Sequence, residues 1–336
     1  MALDRIGDWV NATPNMQPAA PASFNLWKGL LVWRDEIFYL WGLLALGILR
    51  GTVPEATPNW FLPAVLLATW VGGMGCWGLG RRGRGWGPPL LILLLGLLLT
   101  ETLLVGYRVP PGLMPTPTRV LQAAWMARAA LMRDAVQTFA RQALVGFGLG
   151  VGSGLLLGAL LAGFPKIEQG VLPYLAALSS IPIPALAPVM VGAFGIDWPS
   201  KAAVVAVVVL FPVVLNTVRG LRSVDPSQLD LMRSYGAGAG QVFWQVRIPQ
   251  SLPYIFNALK LALTLAMIGS IVGEFFAAPG LGLGFRIRIE AARFNFDIVW
   301  AAIIYATVIS ALAYQLIVMV EKRLTFWHSS FRSGNC

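Results

Sequence analysis

Long apolar runs separated by short polar, proline- and glycine-marked stretches organise this chain. Eight apolar segments stand out, at about residues 30–50, 60–79, 88–106, 142–163, 171–194, 202–218, 255–276 and 298–320. A helix rising 1.5 Å per residue needs about 20 apolar residues to cross the hydrocarbon of a bilayer, and most of these segments reach that length. The first is the weakest. Only Ile37 to Leu49 is free of charge, and Arg34, Asp35 and Glu36 interrupt its start, so an interfacial helix is the alternative to a span there. The pattern predicts an all-α fold, a polytopic bundle of membrane helices.

Composition agrees. Of the 336 residues, 57% are hydrophobic and 12% charged, about half the charge of an ordinary soluble domain. The net charge of +10 would suggest nucleic acid in a soluble protein. Here the basic residues flank apolar segments, so membrane anchoring and topology account for them and no nucleic-acid partner is expected. With both termini on the cytoplasmic side, fourteen Lys and Arg fall in inside segments and eight in outside ones, which is the sense of the positive-inside bias. The opening stretch "MALDRIGDWVNATPNMQPAAPA" shows no apolar core of signal-peptide length.

Residue supply excludes several chemistries. The single histidine, His328, and two distant cysteines, Cys76 and Cys336, offer neither a His-based triad nor a metal cluster. No lysine follows a glycine, so a GxxxxGK[ST] phosphate loop is absent from the sequence. The alternating glycines of "GFGLGVGSG", "GAGAG" and "PGLGLG" do not fit the dinucleotide pattern GxGxxG. Gly146, Gly150, Gly154 and Gly158 instead recur every four residues, which lines them along one helix face where a second helix can approach closely. Gly148 and Gly152 form an offset row.

Two further places carry polar or helix-breaking residues at membrane depth. "LSSIPIPALAPVM" holds Pro182, Pro184 and Pro188 beside Ser179 and Ser180. Each proline removes a backbone donor, and broken helix at that depth is tolerated only when buried in protein or lining a wet cavity. A solute path and a plain structural kink are both open on this ground, with Asn216 expected near the cytoplasmic side of such a path. Glu274, in "MIGSIVGEFF", is a charge near the end of a span, and such groups face the bundle interior or an aqueous mouth. Glu101 and Glu274 are the only carboxylate pair that a membrane-embedded enzyme could draw on within the spans.

One polar segment between two spans remains, Asp230 to Pro249, "DLMRSYGAGAGQVFWQVRIP". It resembles the cytoplasmic EAA loop of permease subunits in ATP-binding-cassette (ABC) importers, whose pattern is Glu-Ala-Ala, three residues, Gly, nine residues, then Ile-x-Leu-Pro. Here Asp230, Leu231 and Met232 occupy the first three positions, Gly236 the glycine, and Val246 to Pro249 the close, with every spacing kept. The alanines are replaced and the acid is shortened. "VPPGLMPTPTRVLQ" and "IPIPALAPVMVGAFGIDWPSK" also resemble the nitrate/sulfonate/taurine-type branch, while "ALAP", "DLMRS" and "LPYIFNALKLA" resemble permeases for thiamine-pyrimidine precursors or riboflavin.

The resemblance implies a six-span permease core over 88–325 with a coupling loop at 219–254, an N-terminal extension over 1–87 and a cytoplasmic tail over 326–336. It implies a bacterial inner-membrane importer that works as a homodimer with a cytoplasmic ATPase pair and an extracytoplasmic solute-binding protein. ATP would be bound by the ATPase partner, so this chain needs no cofactor of its own. It also implies that Asp230, Leu231, Met232, Gly236, Val246 and Pro249 form the ATPase contact. Leu229, Met232 and Phe243 supply apolar knobs for it. The solute favoured is a heterocyclic cofactor precursor such as a pyrimidine; nitrate, a sulfonate or taurine would use the same architecture.

Overall fold

The computed structural model describes residues 26–51, 61–81, 87–277 and 280–326. The calls on His328, Cys336 and the far N-terminal tail lie outside these residues. Every regular element among them is helical, and contacts divide the chain into two units, Met1–Gly106 and Tyr107–Cys336.

The first unit holds α1 (Leu26–Gly51), α2 (Phe61–Arg81) and α3 (Gly87–Gly106). Residues 88–106 therefore pack with the N-terminal helices. Gly42 lets α1 meet α2 backbone to backbone, since a Cβ there would stand 2.6 Å from the Gly72 Cα. Polar groups then tie α3 to α1. The Tyr39 hydroxyl donates to the Leu91 carbonyl at 3.1 Å, Thr102 donates to the Leu46 carbonyl at 3.3 Å, and Arg50 pairs with the buried Glu101 at 2.9 Å. In hydrocarbon each of these groups would be costly alone, and each is partnered inside the unit.

The second unit begins with two short amphipathic helices, α4 (Pro117–Met126) and α5 (Arg128–Val136). A π-helical turn, Gln137–Ala143, runs on into α6 (Leu144–Gly163), so that Arg128–Gly163 is one continuous 36-residue helical run. There follow α7 (Pro165–Ser179), α8 (Ile183–Phe194), α9 (Trp198–Arg222), the short α10 (Pro226–Ser234) and α11 (Ala239–Val242). A second π-helical turn, Phe243–Arg247, leads into α12 (Ile248–Phe276), then α13 (Leu283–Ala292) and α14 (Phe296–Leu324). Four of these stretches, 128–163, 198–222, 239–276 and 296–324, are long and apolar enough to cross a membrane. The pair α7 and α8, bent by 96°, passes the same test together.

Helix α9 sits at the centre because both of its neighbours present small residues to it. On α6 the four-residue glycine row meets successive α9 carbonyls. A Cβ at Gly146 would lie 2.5 Å from the Ala202 oxygen, at Gly150 2.7 Å from that of Ala206, at Gly154 3.2 Å from that of Leu210, and at Gly158 3.1 Å from that of Val214. The offset between partners is constant, so α6 and α9 run parallel in register. Gly148 and Gly152, in the offset row, have nothing within 4 Å. Helix α9 also meets Ala258, Ala262 and Ala266 of α12, which are buried in one cluster with Val205, Val209 and Val213. The β-branched valines contribute stiff ridges that lose little rotamer freedom on packing. Lower down, Lys260 of α12 is bound by both oxygens of Glu321 of α14 at 3.0 Å.

Segments 117–136 and 283–292, which carry no span signal, are nevertheless helical. The buried carboxylate among them is satisfied by a tertiary partner instead of water: Asp134 is 1% exposed and bound by Arg286.

The glycine row gives a direct expectation. Gly150→Ala and Gly154→Ala should each lower unfolding stability by about 1–3 kcal/mol through overpacking, read as a lower Tm in detergent. Gly148→Ala and Gly152→Ala should leave Tm unchanged. An equal response from both rows would show that the contact with α9 is not what the row provides.

Candidate functional site

The segment joining α9 to α12 is built turn by turn from local signals. Asp225 caps α10, accepting the Ser227 amide at 2.8 Å, and Pro226 follows at the first helical position, where no donor is needed. The Ser227 hydroxyl, and then its amide, hold the Asp225 carboxyl below the usual carboxylate range. This cap is complete near neutral pH and is lost only as pH falls through that depressed value.

At its other end α10 stops at Gly236, whose φ of +71° only glycine adopts readily. The Gly236 amide donates to the Arg233 carbonyl at 2.9 Å and the Ala237 amide to that of Met232 at 3.0 Å. These two bonds make a complete Schellman stop. Gly238 opens α11 with its amide on Gln241 Oε1 at 3.0 Å, and the π-helical turn carries the chain into α12 at Pro249.

This loop is therefore ordered yet open. Leu231, Tyr235 and Trp244 are 55%, 80% and 70% exposed, while Leu229, Met232, Phe243, Val246 and Pro249 are half-buried and Asp230 is exposed beside Arg233. Large apolar side chains held out on a short capped helix form a surface that suits a groove on another protein. The loop is also the direct link between α9 and α12, the two helices at the centre of the unit. Gly220 brings them together just before the loop, a Cβ there lying 2.9 Å from that of Tyr254.

The proline-rich break lies between α7 and α8. Ser179 and Ser180 both donate to the Ala176 carbonyl, at 2.7 and 3.1 Å. Pro182 takes the extended N-cap position of α8, with φ −65° and ψ 131°. Pro184 lies in the first turn, where its missing N–H costs nothing. Ser179, Ser180, Pro182 and Pro184 are all exposed. Asn216 is half-buried on α9 and donates to the Pro212 carbonyl at 2.8 Å, between Val214 and Val218, which pack against Leu175 of α7.

Glu274 is elsewhere. It is fully buried at the end of α12, accepting the Thr138 hydroxyl at 2.8 Å and the Gly284 amide at 2.7 Å. Its partner Thr138, the neighbouring Asp134–Arg286 pair and the buried Lys201 were not singled out from the sequence; no spacing signal joins residue 134 to residue 286. Lys201 folds back to donate to the Ile196 and Asp197 carbonyls.

A groove of about 720 Å³ also runs between α12 and α14, lined by Leu263, Met267, Thr264, Thr307, Ser310 and Gln315 among others. The hydroxyls of Thr264, Thr307 and Ser310 donate to carbonyls of their own helices, those of Lys260, Ile303 and Ala306, so its walls are mainly apolar.

Comparison with known proteins agrees with this geometry. Residues 154–326 match the family described as binding-protein-dependent transport system inner membrane component. The riboflavin transport system permease protein RibX of Chloroflexus aurantiacus is 33% identical over 72% of this chain and 90% of its own length. The formylaminopyrimidine transport permease protein ThiX of Halalkalibacterium halodurans is 31% identical over 65% of this chain and 86% of its own. Other relatives are named for aliphatic sulfonates and for taurine. Among solved structures, a chain of the MetNI methionine ABC transporter, in an inward-facing conformation, superposes with a TM-score of 0.50 at 19% identity, covering 60% of this chain and 97% of that one, which shows a shared fold. The chain belongs to the binding-protein-dependent transport system inner membrane component family, the permeases of ABC importers.

Proposed function

We propose that this chain is the permease of an importer for a heterocyclic cofactor precursor such as a pyrimidine, worked as a homodimer by a separate cytoplasmic ATPase pair and supplied by an extracytoplasmic binding protein. The observation that carries the reading is the capped loop of 226–247. Its exposed Leu231, Tyr235 and Trp244 stand on the segment of chain that joins α9 to α12. A groove on an ATPase that takes those side chains would move both central helices when it closes. Rocking of packed spans around a fixed site then gives alternating access. The inner-membrane setting is supported by the family, and the placement of both termini in the cytoplasm by the bias of Lys and Arg between loops.

The heterocyclic solute is supported by the riboflavin and formylaminopyrimidine names of two relatives. A sulfonate, taurine or nitrate is the second reading, favoured by the sulfonate and taurine relatives. A membrane-embedded enzyme is the reading that the contacts disfavour. Glu101 is committed to Arg50 in the first unit, and Glu274 to Thr138 and Gly284 in the second.

Three measurements test these statements. Gly236→Trp would force a bulky residue into a left-handed turn, a local cost of about 1–2 kcal/mol. Leu231→Asp would set an unpaired charge into the apolar contact. Both variants should remain folded and inserted while the ATPase no longer co-purifies, or hydrolyses ATP without uptake; normal uptake in both would remove the loop from the coupling role.

Ser179→Cys and Ser180→Cys, introduced after Cys76 and Cys336 are replaced, should react with water-soluble thiol reagents. Inertness of both in every nucleotide state would count against a wet path at the break.

Mass spectrometry of the solute carried by the partner binding protein should find a nitrogen heterocycle. Recovery of a sulfonate or nitrate would establish the second reading.

A further inference from the structure

Helix α13 begins in an unusual setting. Its first three amides each end on a side chain from a different element. Gly282 donates to Asp134 Oδ1 of α5 at 3.2 Å, Leu283 to the Thr138 hydroxyl of the first π-helical turn at 2.9 Å, and Gly284 to Glu274 Oε2 of α12 at 2.7 Å. The Thr138 hydroxyl passes its own proton to Glu274 Oε1 at 2.8 Å. One turn on, Arg286 Nε donates to Asp134 Oδ2 at 2.8 Å.

The three acceptors are 0–1% exposed, and two of them are carboxylates against the positive end of a helix, the sign its dipole favours. The loop is shaped around them. Gly280 and Gly282 have φ of +91° and +126°, and a Cβ at Gly282 would stand 2.1 Å from Glu274 Oε1.

The position of this cluster gives it a role. The helical run Ala239–Phe276 is continuous over 38 residues, roughly 55 Å at helical rise; it begins in the exposed loop and carries Glu274 in its last turn. A helix driven at one end carries with it the elements fastened along it and at its other end.

We propose that Glu274, Thr138 and Asp134 are positioning residues for transport. They bolt α13 to α12 and α5, so that displacement entering α12 at the 226–247 loop reaches the opposite end of the bundle as movement of α13. This rests on the reading of that loop as the ATPase contact. None of the three is assigned to touch solute; they act through α13.

The test uses the assembled transporter in liposomes and a matched pair at position 138. Thr138→Val keeps the shape and deletes the hydroxyl that links Leu283 to Glu274, whereas Thr138→Ser keeps the hydroxyl. Thr138→Val should lower uptake per ATP hydrolysed by about tenfold with hydrolysis near the unmodified rate and the ATPase still bound, and Thr138→Ser should restore it. Glu274→Gln, which puts an N–H donor where one carboxylate oxygen accepts, should behave as Thr138→Val does.

A second readout separates a bolt from general stability. Spin labels at Ile268→Cys on α12 and Ala292→Cys at the end of α13, in a chain lacking Cys76 and Cys336, should report one distance with and without trapped nucleotide. With Thr138→Val added, a second distance should appear in the trapped state. Unchanged distances together with unmodified coupling in Thr138→Val would overturn the proposal while leaving the permease reading intact. Absence of hydrolysis-driven uptake in the unmodified chain would overturn both.

Discussion

Backbone contact between α6 and α9 is the constraint on which the second unit depends. Four glycines at four-residue spacing remove every Cβ that would separate the two helices, and the α9 carbonyls of Ala202, Ala206, Leu210 and Val214 come down onto the bare Cα row. Lipid tails are as apolar as valine, so burial gives little drive for helices to associate in a bilayer. Close dispersion contact and weak Cα–H···O interactions must supply it. A single added methyl group would widen the crossing at the point where these terms are steepest. With α9 held this closely by α6 and packed as well with Ala258, Ala262 and Ala266 of α12, any force on the loop that follows it is delivered to the centre of the bundle.

The polar groups follow the same logic of commitment. Lys260 with Glu321, Arg50 with Glu101, and Asp134 with Arg286 are each paired within their own unit. A charge left alone at such depth would cost several kcal/mol, so these pairs fix which helix faces which rather than adding net stability. Glu274 differs in kind. It accepts from a hydroxyl and a backbone amide, with the buried Lys201 as the cation in its field, and these bonds hold the start of α13.

The sequence made most of this legible where one residue type has one physical use. The glycine period points to a helix contact because nothing else asks for glycine every fourth residue in an apolar run. Gly236 reads as a helix stop because the left-handed turn demands it, and the observed φ of +71° is that turn. Prolines 182 and 184 mark the bend between α7 and α8 for the same kind of reason. What stayed hidden depends on partners far apart in the chain. The helices at 117–136 and 283–292 carry charges that look solvated until Asp134 meets Arg286, and Glu274 looks like a mouth residue until Thr138 and Gly284 close over it. Of the loop's three most exposed apolar side chains, Leu231 lies in the contact that the EAA pattern implies, whereas Tyr235 and Trp244 were not singled out, because exposure on a short helix is set by the angle at which its caps hold it.

Hydrogen–deuterium exchange of the chain, alone and with its ATPase partner, tests the central claim most directly: that the loop at 226–247 is where work enters the bundle. The account predicts that protection on complex formation concentrates in 226–247, around Leu231, Tyr235 and Trp244. It further predicts a change at 280–292 when nucleotide is trapped. Protection that spares 226–247 and falls on another polar segment would contradict it.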